Sequence, residues 1–334
     1  MNPIVSFFFS VFAILIILLL VWVGVGSANM YYLFGVIIPY LAVLTFIIGF
    51  IARMVQWAKV PVPFRITTTC GQEKSLPWIK ANELESPTTT FGVVKRMALE
   101  VLFFRSLFRN TNVELKDGPR VVYWSAKWLW LGGLAFHWSF LFILLRHLRF
   151  FLEPVPGCVL MAQALDGFFQ IGTPVLYMTD LIILAALTYL LIRRLADLQV
   201  RYISLFTDYF ALFMLLGLAI SGVLLRYFIK TDISGIKELA MGLVTFSPSV
   251  PAGVHPIFFI HLFMLSILVA YFPFSKLMHM GGVFLSPTRN LANNNRMKRH
   301  VNPWDYPVKV HTYEEWEEEF RDKIKAAGLP LEKV

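Results

Sequence analysis

Charge and cysteine are what this chain has least of. Of its 334 residues only 15% are Asp, Glu, Lys or Arg, against roughly a quarter in a soluble domain. Two cysteines are present, Cys70 and Cys158, and no Cys-x-x-Cys-His run. That excludes covalent c-type haem attachment and a Cys-ligated iron–sulfur cluster held by this chain alone. The N-terminus has no charged stretch ahead of its first apolar run, so that run reads as a retained span and not as a cleaved signal. Internal repeats and low-complexity tracts are missing too, which argues against a transporter built from repeated halves and broken helices.

What is there is apolar. The chain is 57% hydrophobic, with 31 Phe and a mean hydropathy of +0.65. Six runs of about twenty residues, the length that spans a bilayer's hydrocarbon core as a helix, lie at 4–23, 31–52, 126–151, 173–194, 205–228 and 256–276. The expected fold is an all-α integral membrane protein with six transmembrane helices. Lys and Arg crowd the 53–125 interval, the 193–204 link and the stretch after the last run, while 24–30, 152–172 and 229–255 hold few. By the positive-inside rule the first three face the cytoplasm and both termini lie inside. Cys70 and Cys158 then fall on opposite sides and do not pair. The net charge of +9 belongs to these loops, and nothing points to nucleic acid.

Four segments follow: 1–52 with two N-terminal spans, 53–125 as a cytoplasmic loop, 126–279 as a four-helix bundle, and 280–334 as a cytoplasmic tail. Within the loop, VVKRMALEVLFFRSLF (93–108) is too short and too charged to cross and is expected to lie in the interface as an amphipathic helix. In the tail, TYEEWEEEFRDKIKAAG (312–328) opens with Thr312 and Glu315 at capping-box spacing. Tyr313, Trp316, Phe320 and Ile324 then recur at helical intervals. A short helix with one apolar stripe has to dock, on a partner or on the protein's own loops.

The chemistry sits in the histidines. The run 126–151 carries His137 and His147, ten residues or about 15 Å apart along a helix. The run from 256 carries His261 and, past its end, His279. Ionisable groups inside a bilayer are costly and are functional by default, and two histidines on each of two spans suit two stacked haems. The third span runs inside to outside and the sixth runs back. The pairs therefore nest, His147 with His261 at the outer side and His137 with His279 at the inner. Eighteen residues separate His261 from His279, about 27 Å if helical, and Pro273 lies between and should kink or end the helix. His255, before Pro256, is the rival outer ligand. His300 and His311 read as surface residues of the tail.

These ten- and eighteen-residue spacings resemble those of the gamma subunit of respiratory nitrate reductase, a membrane cytochrome b with two bis-histidine haems. The resemblance implies His137 and His279 as ligands of the inner haem and His147 and His261 of the outer. FRITTTCGQEKSLPWIK (64–80), GPRVVYWSAKW (118–128) and NNRMKRHVNPWDYPVKVHTYEEWEEEFRDKIKAAG (294–328) are similar to a narrower family. These are the cytochrome b subunits of heterodisulfide-reductase-like menaquinol oxidoreductases associated with dissimilatory sulfite reduction. That family implies an enzyme subunit that oxidises menaquinol and passes electrons through two b haems to a cytoplasmic iron–sulfur subunit like that of heterodisulfide reductase. A second membrane subunit, a periplasmic cytochrome c and a periplasmic iron–sulfur protein belong to the fuller complex.

In the nitrate reductase family the quinol site adjoins the outer haem and includes a lysine in the loop after the histidine span. Here 152–172 holds no lysine and offers Gln163, Asp166 and Gln170. Asp180 and His255 are further candidates for binding quinol or taking its protons. Arg146 and Arg149 flank His147 and could pair with haem propionates. The competing readings are the cytochrome b of a hydrogenase or formate dehydrogenase, and a haem-free membrane anchor.

Overall fold

The computed structural model describes residues 3–60, 78, 80–118, 120–167, 174–229, 231–293 and 310–332. Cys70, Gln170, His300, the stretches 61–77 and 294–309, and the start of the expected 173–194 span lie outside them. The chain divides into two compact units, Met1–Met54 with Met97–Gly282, and Val55–Arg96 with Val283–Val334.

The first unit is mostly helical. α1 (Pro3–Gly26), α2 (Leu33–Ala58), α5 (Lys127–Phe150), α9 (Phe206–Phe228) and the run Pro256–Phe274 are long and apolar enough to cross a membrane. α7 (Met178–Ala196) has 19 residues but carries Asp180, Arg193 and Arg194, so it is less apolar than these five. Shorter elements fill the intervals: α3 (Thr90–Phe103), which begins in the second unit and enters the first at Met97, α4 (Arg105–Arg109), α6 (Gly157–Asp166), α8 (Leu198–Ile203) and α10 (Ile233–Val244). A two-stranded hairpin, β1 (Thr111–Lys116) against β2 (Arg120–Ser125), breaks the all-helical expectation.

α5 packs on α7, α7 on α9 and α9 on α11 (Pro256–Tyr271), while α1 lies against α9 and α11. Small residues let the helices approach: a Cβ at Gly132 of α5 would come within 2.6 Å of the Tyr189 ring on α7. One core is made by Ile17, Phe210, Met214, Met264 and Leu268, a second by Val21, Val25, Phe34, Val254 and Phe259. On α1 the opposite side, Phe8, Phe12, Leu15 and Leu19, is exposed, as a lipid-facing surface would be.

The last long helix ends where Pro273 forces it to. α11 stops at Tyr271, a tight 3-10 turn carries Phe272–Phe274, and Ser275 is extended at φ −114°, ψ 173°. The Ser275 hydroxyl then caps the next turn by accepting from Leu277 N (3.2 Å), and α12 (His279–Gly282) begins at the histidine. This break shortens the eighteen-residue interval and brings His279 back toward α5. Gly49 on α2 makes room for the turn, since a Cβ there would lie 2.8 Å from the Pro273 ring.

In the second unit, Asn293 donates to Ser86 Oγ (2.8 Å) and to Pro87 O (2.7 Å), just after α13 (Pro287–Asn290). Its C-terminal helix α14 (Tyr313–Ala326) opens on the expected capping box. Glu315 N donates to Thr312 Oγ1 (3.2 Å), and Thr312 N to the Glu315 carboxylate (3.1 Å). Ile324 is buried, while Tyr313 and Trp316 are exposed.

Candidate functional site: two facing histidine pairs

α5 and the segment from α11 to α12 bring the four histidines together as two pairs. The His137 and His279 ring centroids are 6.0 Å apart and those of His147 and His261 are 6.3 Å apart. In each ring Nδ1 is already engaged. His137 Nδ1 donates to Gly133 O (2.7 Å), His147 Nδ1 to Ile143 O (2.7 Å) and His279 Nδ1 to Lys276 O (2.9 Å). His261 Nδ1 donates to Ser221 Oγ (2.8 Å), whose own hydroxyl donates to Leu218 O (3.1 Å). A proton on Nδ1 leaves the Nε2 lone pair for a metal, the arrangement in which a second contact orients a ligating imidazole.

The spacing fits a metal between the rings. An imidazole nitrogen binds at about 2 Å and the ring centre lies about 1 Å behind it, so two rings on one metal have centres about 6 Å apart. Among the described residues no three of His, Cys, Asp and Glu gather to hold an ion. Two facing imidazoles at this spacing suit a metal that brings further ligands of its own, as haem iron does.

His255 is elsewhere. It caps α11, with Nδ1 accepting from Ile257 N (3.3 Å). A helix cap explains it, and the structure brings His261, not His255, to His147.

Polar groups collect at the His147 end. Arg146 is buried, with Nε 3.0 Å from Asp166 Oδ2 and Nη2 2.5 Å from Asp180 Oδ1. Nη2 also reaches Thr179 Oγ1 at 3.2 Å. Asp166 accepts from Thr179 N (2.8 Å) and Thr179 Oγ1 (2.6 Å), and Asp180 accepts from Tyr227 OH (2.8 Å). Arg146 and Arg226 both stack on Tyr177, 3.9 and 4.0 Å from its centroid. Arg146, a candidate for a propionate contact, has its guanidinium against two carboxylates that join α6 and α7 to α5. Asp166, with all three contacts inside the protein and 2% exposed, is likewise a tie between helices. Arg149 is exposed, 5.8 Å from the Phe150 ring.

At the other end Asp208 accepts from Lys276 Nζ (2.8 Å) and lies 3.8 Å from Arg194. It thereby anchors the residue whose carbonyl orients His279. Sequence reasoning also missed Phe104, whose ring is 4.9 Å from that of His137. The expected single helix over 93–108 is two, α3 and α4, broken at this residue, and nothing in an apolar run announces such a break. Arg226, Tyr177 and Tyr227 were missed as well, being far from Asp180 in sequence or hidden in apolar surroundings.

Residues 88–299 match the nitrate reductase gamma subunit family. A protein of Archaeoglobus fulgidus named Hdr-like menaquinol oxidoreductase cytochrome b-like subunit is 49% identical over 280 residues, covering 82% of this chain and 83% of its own. One of the same name from Archaeoglobus profundus is 43% identical over 275 residues, covering 80% and 81%. With that match and those relatives, and with five helices among the described residues able to span a bilayer, this chain is a multi-pass membrane protein that belongs to the nitrate reductase gamma subunit family.

Proposed function

We propose that this chain is the membrane cytochrome b subunit of a menaquinol-oxidising complex. In this reading His137 and His279 hold an inner b haem and His147 and His261 an outer one. α7 counts as a sixth span, so both termini are cytoplasmic. The carrying observation is the two facing histidine pairs, each with Nδ1 tied and Nε2 available. Bound there, the two haems supply one-electron redox centres on the two sides of the bilayer.

The chain's own residues do the rest. Gly133, Ile143, Ser221 and Lys276 orient the four rings. The Arg146 network closes the outer end, and of its two carboxylates Asp180 is the more exposed, at 12% against 0% for Asp166, and so the candidate to accept a quinol hydrogen bond beside those from Arg146 and Tyr227. Gln170 and His255 remain candidates for the same site, and Arg149 for a propionate contact. Menaquinol as the substrate draws support from the relatives' names. Electrons leave at the inner side to a cytoplasmic heterodisulfide-reductase-like iron–sulfur subunit, in a complex of dissimilatory sulfur metabolism with further membrane and periplasmic subunits.

The test is reduction of the purified, haem-loaded protein by a menaquinol analogue, followed through the b-type absorption bands. Bleaching of the ferric signal in the wild type, with a raised KM in Asp180→Asn, supports the reading. Two haems that menaquinol cannot reduce would exclude quinol as the donor.

A further inference from the structure

The run before α5 holds a feature that the ligand set alone does not use. Between α3 and α4, Phe104 sits at φ 50°, ψ 47°, a left-handed conformation that a residue with a Cβ rarely adopts. Its surroundings over-determine it, the condition under which such strain persists at functional sites. The last carbonyls of α3, on Leu102 and Phe103, accept the indole N–H groups of Trp138 (3.0 Å) and Trp130 (2.7 Å) from α5. The buried Glu100 carboxylate accepts from the Ser106 backbone N–H (3.1 Å) and from its hydroxyl, tying α3 to α4 across the break.

Held in this way, the Phe104 ring stands edge-on to His137, with centroids 4.9 Å apart and planes at 81°. Phe136 meets the same imidazole at 4.9 Å and 74°. The His137 ring lies crosswise to His279, at 84°. The His147 and His261 rings, by contrast, are within 9° of parallel.

We propose that Phe104 is a positioning residue for the inner haem, holding the His137 imidazole crosswise to His279, so that the inner centre has crossed axial rings and the outer centre parallel ones. This rests on the dihaem reading. The consequence is electronic. Parallel imidazoles split the two iron d orbitals that overlap with the ligand π systems, and crossed imidazoles leave them nearly degenerate. A ferric low-spin centre with crossed rings therefore gives the more anisotropic electron paramagnetic resonance signal.

The experiment records that spectrum on the oxidised, haem-loaded full chain, with haem content measured by pyridine haemochrome on the same sample. Two haems are expected, one giving a highly anisotropic low-spin signal and one an ordinary rhombic signal. Phe104→Gly removes the ring and suits a left-handed backbone. It should keep both haems and move only the anisotropic signal toward the rhombic form. Phe104→Leu, with bulk but no aromatic edge, should do the same, and Phe104→Tyr should keep the wild-type spectrum. His279→Ala should remove the anisotropic signal and so assign it to the inner pair. Two haems with that signal unmoved in both Phe104→Gly and Phe104→Leu, or a shift of the rhombic signal instead, overturns the role of Phe104. Fewer than two haems in the wild type overturns the dihaem reading itself.

Discussion

Replacing Arg146 by Met should destabilise the protein far more than losing an exposed ion pair would. The guanidinium is 3.0 Å from Asp166 and 2.5 Å from Asp180, and the three side chains are 9%, 0% and 12% exposed. Removing one partner of a buried pair costs about 3–5 kcal/mol, because the remaining charge is uncompensated; here two carboxylates are left. The control is Lys237→Met. Its ion pair with Glu153 has side chains 34% and 61% exposed and, like other exposed pairs, should be worth no more than about 1 kcal/mol. Thermal unfolding in detergent measures both. Adding Asp166→Asn and Asp180→Asn to Arg146→Met removes the stranded charge and should restore much of the loss. Equal destabilisation by Arg146→Met and Lys237→Met would refute the reasoning, as would a triple variant less stable than the single one.

Two further predictions concern the histidines. Ser221→Ala removes the oxygen that takes the His261 Nδ1 proton. Haem affinity at the outer pair should fall about 10–100-fold, the usual effect of losing such a partner, as haem titration would show, with the inner pair unchanged. Gly49→Leu puts a side chain where a Cβ alone would be 2.8 Å from Pro273. It should displace the turn that returns His279, and haem content should drop from two per chain to one, with the outer pair retained.

Much of this was readable in the chain itself. The long apolar runs and the ten-residue spacing of His137 and His147, combined with the Lys and Arg bias of the loops, indicated which histidine faces which. Pro273 marked the end of the last helix. What it could not convey was that extended Ser275 and two tight turns shorten the path to His279, since that depends on local dihedrals. Arg146 looked available because Asp166 and Asp180 are 20 and 34 residues away, and only the packing of α6 and α7 on α5 reveals the pairing. The left-handed Phe104 has no sequence signal, because Gly is the residue that usually marks such a turn. The hairpin did have one, Asp117-Gly118 between the alternating Val113 and Leu115 and the β-branched and aromatic run 121–124.

The central claim is the pairing, and haem content across five single variants tests it most directly. The wild type should hold two b haems per chain. His137→Ala and His279→Ala should each lose one and the same centre, identified by its midpoint potential. His147→Ala and His261→Ala should each lose the other, and His255→Ala should keep both. A wild type without haem, or a His261→Ala variant that keeps both haems while His255→Ala loses one, would contradict the account.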